Sequence, residues 1–348
     1  MDHFKVLKRA LEITWRYRVL WVFGIILALT TGGGGGNGGA QGRFDGNAFL
    51  RDFSIPEGTL DEIFPMPVVP EAIVGTLIAI GVGLACLILL LIVVSAVARY
   101  VAETALIRLV DDYEETGERR SIGQGFRMGW SRAAWRLFLM NLLIVLPTIL
   151  VFLVLLLVVA APVLLFMDTP VRAIGIVGTI GLAFLLILLL IVVIVVLTLL
   201  MKFFYRACVL EGLGVVESIR RGYSVVRRNL KDVVVMWLLM VGVSIGIAIA
   251  MFIVMLLLLA LGVLAGGLPA LLAGGLASQA FEGAVPWILG AVVGIPIFIV
   301  VVALPLLFLG GLVEVFKSSV WTLAYRELLA LESVEADQPP QPETKELE

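Results

Sequence analysis

Charged residues are absent from five long blocks of this chain. No Asp, Glu, Lys, Arg or His occurs in 72–98, 137–167, 173–201, 233–281 or 283–313, and each block is at least 27 residues long. About 20 apolar residues suffice to cross a ~30 Å hydrocarbon core as a helix. Backbone N–H and C=O groups in that core find no water, so each block must satisfy them internally, as an α-helix does. The pattern predicts an all-α fold, a transmembrane bundle with six spans near 15–31, 72–98, 137–166, 173–201, 233–265 and 285–313. The first span rests on Val19–Thr31 alone. A cleavable signal peptide is the competing reading, disfavoured by a long basic leader to Arg18 and the lack of an A-x-A site. Trp15, Tyr17 and Trp21 read as interfacial anchors for that short span.

The polar segments between blocks share a layout. Before the third span stands Gly129-Trp130-Ser131 with Arg136 beyond it; before the fifth stands Gly222-Tyr223-Ser224 with Asn229 at the matching place. A degenerate copy opens the chain, with Ala10-Leu11 at the Gly-aromatic positions. Each copy reads as a short basic amphipathic elbow helix, a turn, and a hairpin of two spans. The elbows fall near 4–15, 121–133 and 215–228. In the third, Ile219, Tyr223, Val226 and Leu230 share one face, and Arg220, Arg221, Arg227 and Arg228 lie mostly off it. That face suits either the headgroup plane or packing on the chain's own bundle, and the four arginines are lipid-headgroup candidates. After the even-numbered spans, the runs from Arg99, Lys202 and Lys317 carry no Gly or Pro break, so those helices are expected to continue beyond the membrane edge. Arg108 and Asp112 stand at i, i+4 and are spaced to pair.

Charge adds an orientation. With spans so placed, 22 of the 25 Lys and Arg lie on the side of both termini; only Arg43, Arg51 and Arg172 lie opposite. Cations concentrate on the cytoplasmic side, so both termini are expected there. Residues 1–331 then form one membrane domain of three repeats (about 1–100, 101–205 and 206–331). An extracytoplasmic Gly-rich loop at 32–70 and a disordered acidic tail at 332–348 complete it. Charged residues make up 15% of the chain, against about 25% in soluble domains. A net charge of −2 gives no footprint for a nucleic-acid partner.

The segment Ala207-Cys-Val-Leu-Glu-Gly-Leu-Gly-Val-Val-Glu-Ser-Ile-Arg-Arg-Gly-Tyr-Ser-Val-Val-Arg-Arg-Asn-Leu resembles a signature of prokaryotic polytopic proteins. These are similar to the membrane domain of glycerophosphoryl diester phosphodiesterases. The resemblance implies a helical bundle of this layout. It implies no phosphodiesterase chemistry, because the catalytic domain of such fusions is soluble and absent here.

Candidate chemistry is sparse. Gly32–Gly36 lacks the G-K-[ST] ending of a phosphate loop and reads as a linker. Asp45, Asp52, Glu57, Asp61 and Glu62 lack the regular spacing of a calcium loop. Asp111, Asp112, Glu114, Glu115 and Glu118 would suit Mg²⁺ on a diphosphate only with a second convergent acidic set. The matching turn offers just Glu211 and Glu217, so a solvated acidic loop balanced by Arg119 and Arg120 is the better account. His3 is the only histidine, which removes multi-histidine metal sites. No cofactor motif is present. Cys86 and Cys208 read as small buried hydrophobes.

Within the spans, Gly242, Gly246 and Ala250 fall at four-residue intervals, as do Gly262 with Gly266 and Gly290 with Gly294. Such rows let helices approach closely, for intrachain packing first and homo-oligomerisation second. Asn141 is expected to make an interhelical hydrogen bond. Pro147, Pro296 and Pro305 interrupt spans 3 and 6, and Pro269 breaks a 266–280 segment read as an outer interfacial helix. The reading is an integral membrane protein surrounded by the lipid bilayer, a scaffold or accessory component rather than an enzyme. The alternatives are a permease or exporter of an apolar or lipid-like substrate, and a membrane enzyme using the acidic loop.

Overall fold

The computed structural model describes residues 2–31, 71–166, 172–281 and 283–337. The glycine-rich loop and the tail beyond residue 337 lie outside them. Nine helices occur among the described residues: α1 His3–Arg16, α2 Val19–Thr30, α3 Glu71–Thr116, α4 Ile122–Gly129, α5 Arg132–Phe166, α6 Arg172–Leu210, α7 Val215–Arg228, α8 Leu230–Ala277 and α9 Val285–Asp337. Two compact units divide the chain. One comprises Met1–Gly38 with Arg99–Glu348, the other Gly39–Ala98. All contacts described below belong to the first.

Among the described residues five helices are long and apolar enough to cross a membrane, and a sixth span exists only if α1 and α2, bent by 99°, count together. The sequence expectation of a first span is therefore met only in that combined sense. Described as Val19–Thr30, α2 alone would rise about 18 Å, short of a ~30 Å core.

Local chemistry places the elbows. The Asp2 side chain caps α1, accepting from Lys5 N at 3.1 Å. Ser121 and Gln124 form a reciprocal capping box at the start of α4, and Glu217 accepts from Gly214 N at 3.3 Å to open α7. Each arrangement satisfies orphan donors of a first turn. The chain leaves α3 through Gly117 (φ 71°) and α6 through Gly212 (φ 67°). Both lie in the left-handed region, where a side chain would be strained.

Continuation of α3, α6 and α9 past their apolar runs agrees with the unbroken sequences there. Two boundaries differ from expectation. Helix α9 runs through Asp337, so the first residues of the stretch read as tail are helical. Its Glu332 accepts from Arg221 at 2.8 Å, which ties that turn down. Helix α8 is unbroken from Leu230 to Ala277 with Pro269 inside it, so no separate interfacial helix forms. Neighbouring helices re-satisfy the groups that a proline frees in membrane helices. Pro147, Pro296 and Pro305 likewise lie inside continuous helices.

The core sits where elbows meet the charged ends of the spans. One cluster joins Val6 and Ala10 of α1 to Phe203 and Ala207 of α6, Val225 and Val226 of α7, Met236 of α8 and Val320, Ala324 and Tyr325 of α9. A second joins Ile13, Tyr17, Leu20 and Phe23 to Ala105, Leu106 and Leu109 of α3 and Val315 of α9. A third joins Tyr100 and Val101 to Leu137 and Met140 of α5 and Tyr205 and Cys208 of α6. By contrast, the most apolar 18-residue window is 0% buried within the chain in α5 and α6 and 6% in α8 and α9. Hydrocarbon tails are as apolar as Leu, so nothing drives those faces inward.

Candidate functional site

The elbow residues sort by what they touch. On α7 the buried face is Ser218, Gly222, Val225 and Val226. Ile219 is half-buried against the third cluster, whereas Tyr223 and Leu230 are exposed. The packed face is thus rotated from the apolar stripe legible in sequence, because close approach needs small side chains. A Cβ on Gly222 would lie 2.6 Å from Phe204 Cδ1, and one on Gly129 would lie 2.5 Å from the Val101 carbonyl oxygen.

Among the four lipid-headgroup candidates, Arg220 and Arg227 are exposed. Arg228 is also exposed, and it has a partner of its own. Arg221 is engaged in protein: it reaches Glu211 at 3.2 Å and Glu332 at 2.8 Å. Burial disfavours its charge, but the hydrogen bond to Glu332 and the charges of Glu211 and Glu332 outweigh that and raise its pKa. Tyr325 donates to the same Glu211.

The packing candidates divide. A Cβ on Gly290 would lie 2.7 Å from Ala270 O, and one on Gly294 2.6 Å from Ala270 Cβ, so α8 and α9 meet backbone to backbone there. Gly266 stands 2.7 Å from Gly294 O by the same measure. Gly242 and Gly246 have nothing within 4 Å. Asn141 accepts from the Tyr205 hydroxyl at 3.4 Å, a long bond linking α5 to α6. Another close crossing, Gly24 of α2 against Gly311 of α9, went unread: Gly24 stands four residues before Ala28, but Gly311 has only Leu307 and Val315 at that spacing.

The acidic stretch is not merely solvated. Arg326 of α9 bonds to Asp111 side chain and backbone, and Arg9 of α1 reaches Glu114 at 2.6 Å. Asp112 pairs with Arg120 at 2.8 Å rather than with Arg108, which donates instead to Met128 O at 3.0 Å. The hydrogen bond to Asp112 holds the Arg120 pKa above its ordinary value. Three carboxylates thus serve three different cations, a bracing role rather than a shared metal. Tyr17 is no interfacial anchor. It is buried, its hydroxyl accepting from Arg120 N at 2.8 Å. Trp15 is exposed, while Trp21 donates to Thr14 O at 2.7 Å. Cys86 is exposed and Cys208 buried, both free.

A charged cleft, unforeseen in the sequence, opens where α2, α3, α6 and α9 meet. It encloses about 40 Å³ and is lined by Arg99, Glu103, Lys202, Arg206, Glu314 and Lys317, with Leu27, Thr31, Tyr205 and Ser318. Arg206 is 2% exposed. Its guanidinium donates to Lys202 O at 2.7 Å and to Ser318 O at 3.1 Å, while Nε finds no acceptor. Sequence did contain a signal: Arg99, Lys202 and Lys317 are the first cations after three separate apolar runs.

Long lipid-soluble helices standing on a packed, ion-paired base define a multi-pass α-helical membrane protein. The chain belongs to a family of unknown function, DUF7544, whose model matches residues 4–337. Searches of curated proteins and of solved structures each return no match.

Proposed function

We propose that this protein is a non-enzymatic scaffold or accessory component of a prokaryotic cytoplasmic membrane, with both termini cytoplasmic. The carrying observation is where burial falls. Fully buried residues are concentrated at the charged ends of the spans, and the span windows of α5, α6, α8 and α9 contain few or none. The outward part of their apolar surface suits lipid and the helices of partner membrane proteins, including a second copy. The open pair Gly242 and Gly246 supports a close-approaching partner helix on α8.

The three-repeat organisation is part of this reading, and elbow contacts support it. Gly129 of α4 abuts Val101 and Ala105 of α3, and Gly222 of α7 abuts Phe203 and Phe204 of α6. Ala10 of α1 is fully buried in the cluster holding Val320 and Ala324 of α9. Each elbow so rests its small residue on the continuation of an even-numbered span. The next residue, Leu11, Trp130 or Tyr223, is exposed in all three. Common architecture with the membrane domain of glycerophosphoryl diester phosphodiesterases belongs to the same proposal.

Photo-crosslinking in native membranes tests the function. A photoreactive residue at Ile245 or Ile249 on α8, both exposed, is expected to give discrete protein adducts. Lipid adducts alone, there and at Leu150 of α5, would remove the scaffold reading.

A further inference from the structure

The cleft among α2, α3, α6 and α9 holds more positive charge than the chain answers. Four cations, Arg99, Lys202, Arg206 and Lys317, face two carboxylates, Glu103 and Glu314. Among the described residues, neither carboxylate lies within the 4.0 Å of an ion pair with any of the four. Arg206 is buried, with two nitrogens committed to backbone carbonyls and Nε–H without an acceptor. A buried donor on a charged group is normally satisfied, so the orphan Nε–H leaves the Arg206 charge only partly answered by protein. The three remaining cations come from three different helices, each the first positive residue after an apolar run. That places them where hydrocarbon gives way to headgroups.

We propose that this cleft binds a phosphoryl anion, carried by an acidic lipid headgroup or free as phosphate. Lys ammonium groups and Arg forks both bind phosphate oxygens, and their hydrogen bonds strengthen when either partner is charged. The enclosed ~40 Å³ holds roughly three waters, the scale of one phosphoryl group. Glu103 and Glu314 offset part of the cationic charge, which keeps the empty site tolerable in a partly dry setting. Either source brings the same oxygens to the cations that line the cleft. The proposal rests on the membrane reading, but not on the scaffold reading: a partnerless protein would still bind the anion.

The test uses the full chain in phosphatidylcholine nanodiscs. One arm adds a few mole per cent of phosphatidylglycerol and counts lipid retained per chain by native mass spectrometry. The other leaves the bilayer zwitterionic and titrates inorganic phosphate, followed by ³¹P NMR. The cleft variant is Arg99→Gln with Lys317→Gln, which leaves buried Arg206 in place. The control is Arg119→Gln with Arg127→Gln, two exposed cations outside the cleft and not among the headgroup candidates. Wild type is expected to retain one acidic lipid, with affinity about tenfold or more lower in the cleft variant and nearly unchanged in the control. Saturable binding of inorganic phosphate, weakened by the same variant, would instead identify the soluble source and equally support the site. Absence of stoichiometric binding of both probes by wild type overturns the proposal. So does a control variant that loses as much as the cleft variant. If the double cleft variant fails to fold by its thermal transition, Lys317→Gln alone replaces it under the same criteria.

Discussion

Glycine positions separate the residues that determine packing here from those that merely sit in helices. A methyl on Gly129 would meet the Val101 carbonyl oxygen at 2.5 Å, and Val101 is backbone that cannot step aside. Gly129→Ala is therefore expected to destabilise by about 1–3 kcal/mol, lowering the thermal midpoint in detergent. Gly242→Ala meets nothing within 4 Å and is expected to be neutral or slightly stabilising, by up to about 1 kcal/mol through helix propensity. A large loss at Gly242 in the isolated protein would mean that another chain already covers it. Sequence spacing put both glycines forward, Gly129 by the repeat and Gly242 by its row. Only the neighbouring backbone distinguishes them.

At the scale of elements, α9 is the helix on which others are braced. It carries Arg326 to Asp111 of α3, Tyr325 to Glu211 beyond α6, Glu332 to Arg221 of α7, and Glu327 to the Asp2 backbone beside α1. The Arg326 and Asp111 side chains are 30% and 27% exposed, so water screens them only in part. A double-mutant cycle of Arg326→Ala with Asp111→Ala should give a coupling on the order of 1 kcal/mol, near the top of the range for exposed pairs. Amide exchange should quicken in 105–115 and 322–332 together in either single variant. Loosening of one segment alone would show that the pair does not join them. The acidic stretch of α3 looked like a solvated loop because its partners, Arg9 and Arg326, lie more than 100 positions away on either side.

Among the described residues nearly all the cations, Arg172 excepted, lie toward the ends of the helices that carry the core, and the proposed orientation follows from that. In a background lacking Cys86 and Cys208, Glu118→Cys is expected to stay protected from an impermeant thiol reagent in intact cells. Gly38→Cys is expected to label. Glu118 is a good reporter because its side chain is 70% exposed, whereas Ser218 is buried and would resist labelling from either side. Labelling of Glu118→Cys from outside would reverse the topology.

Much of this architecture was legible one residue at a time. Apolar runs of such length have one solution in hydrocarbon, the helix, because each backbone group must find its partner within the segment. The elbows α1, α4 and α7 fall where basic amphipathic stretches predicted them, since capping and left-handed glycines act over a few neighbouring residues. Composition and periodicity did not reveal which face of α7 would pack, that Tyr17 would be buried, or that four cations from α3, α6 and α9 would share a cleft with two carboxylates. Local pattern reports how a segment meets water and lipid. Close approach of Gly222 to Phe204, and convergence of Arg99, Lys202 and Lys317, depend on how separate helices cross. Only the tertiary structure decided those crossings, because they minimise packing and charge terms among residues far apart in the chain.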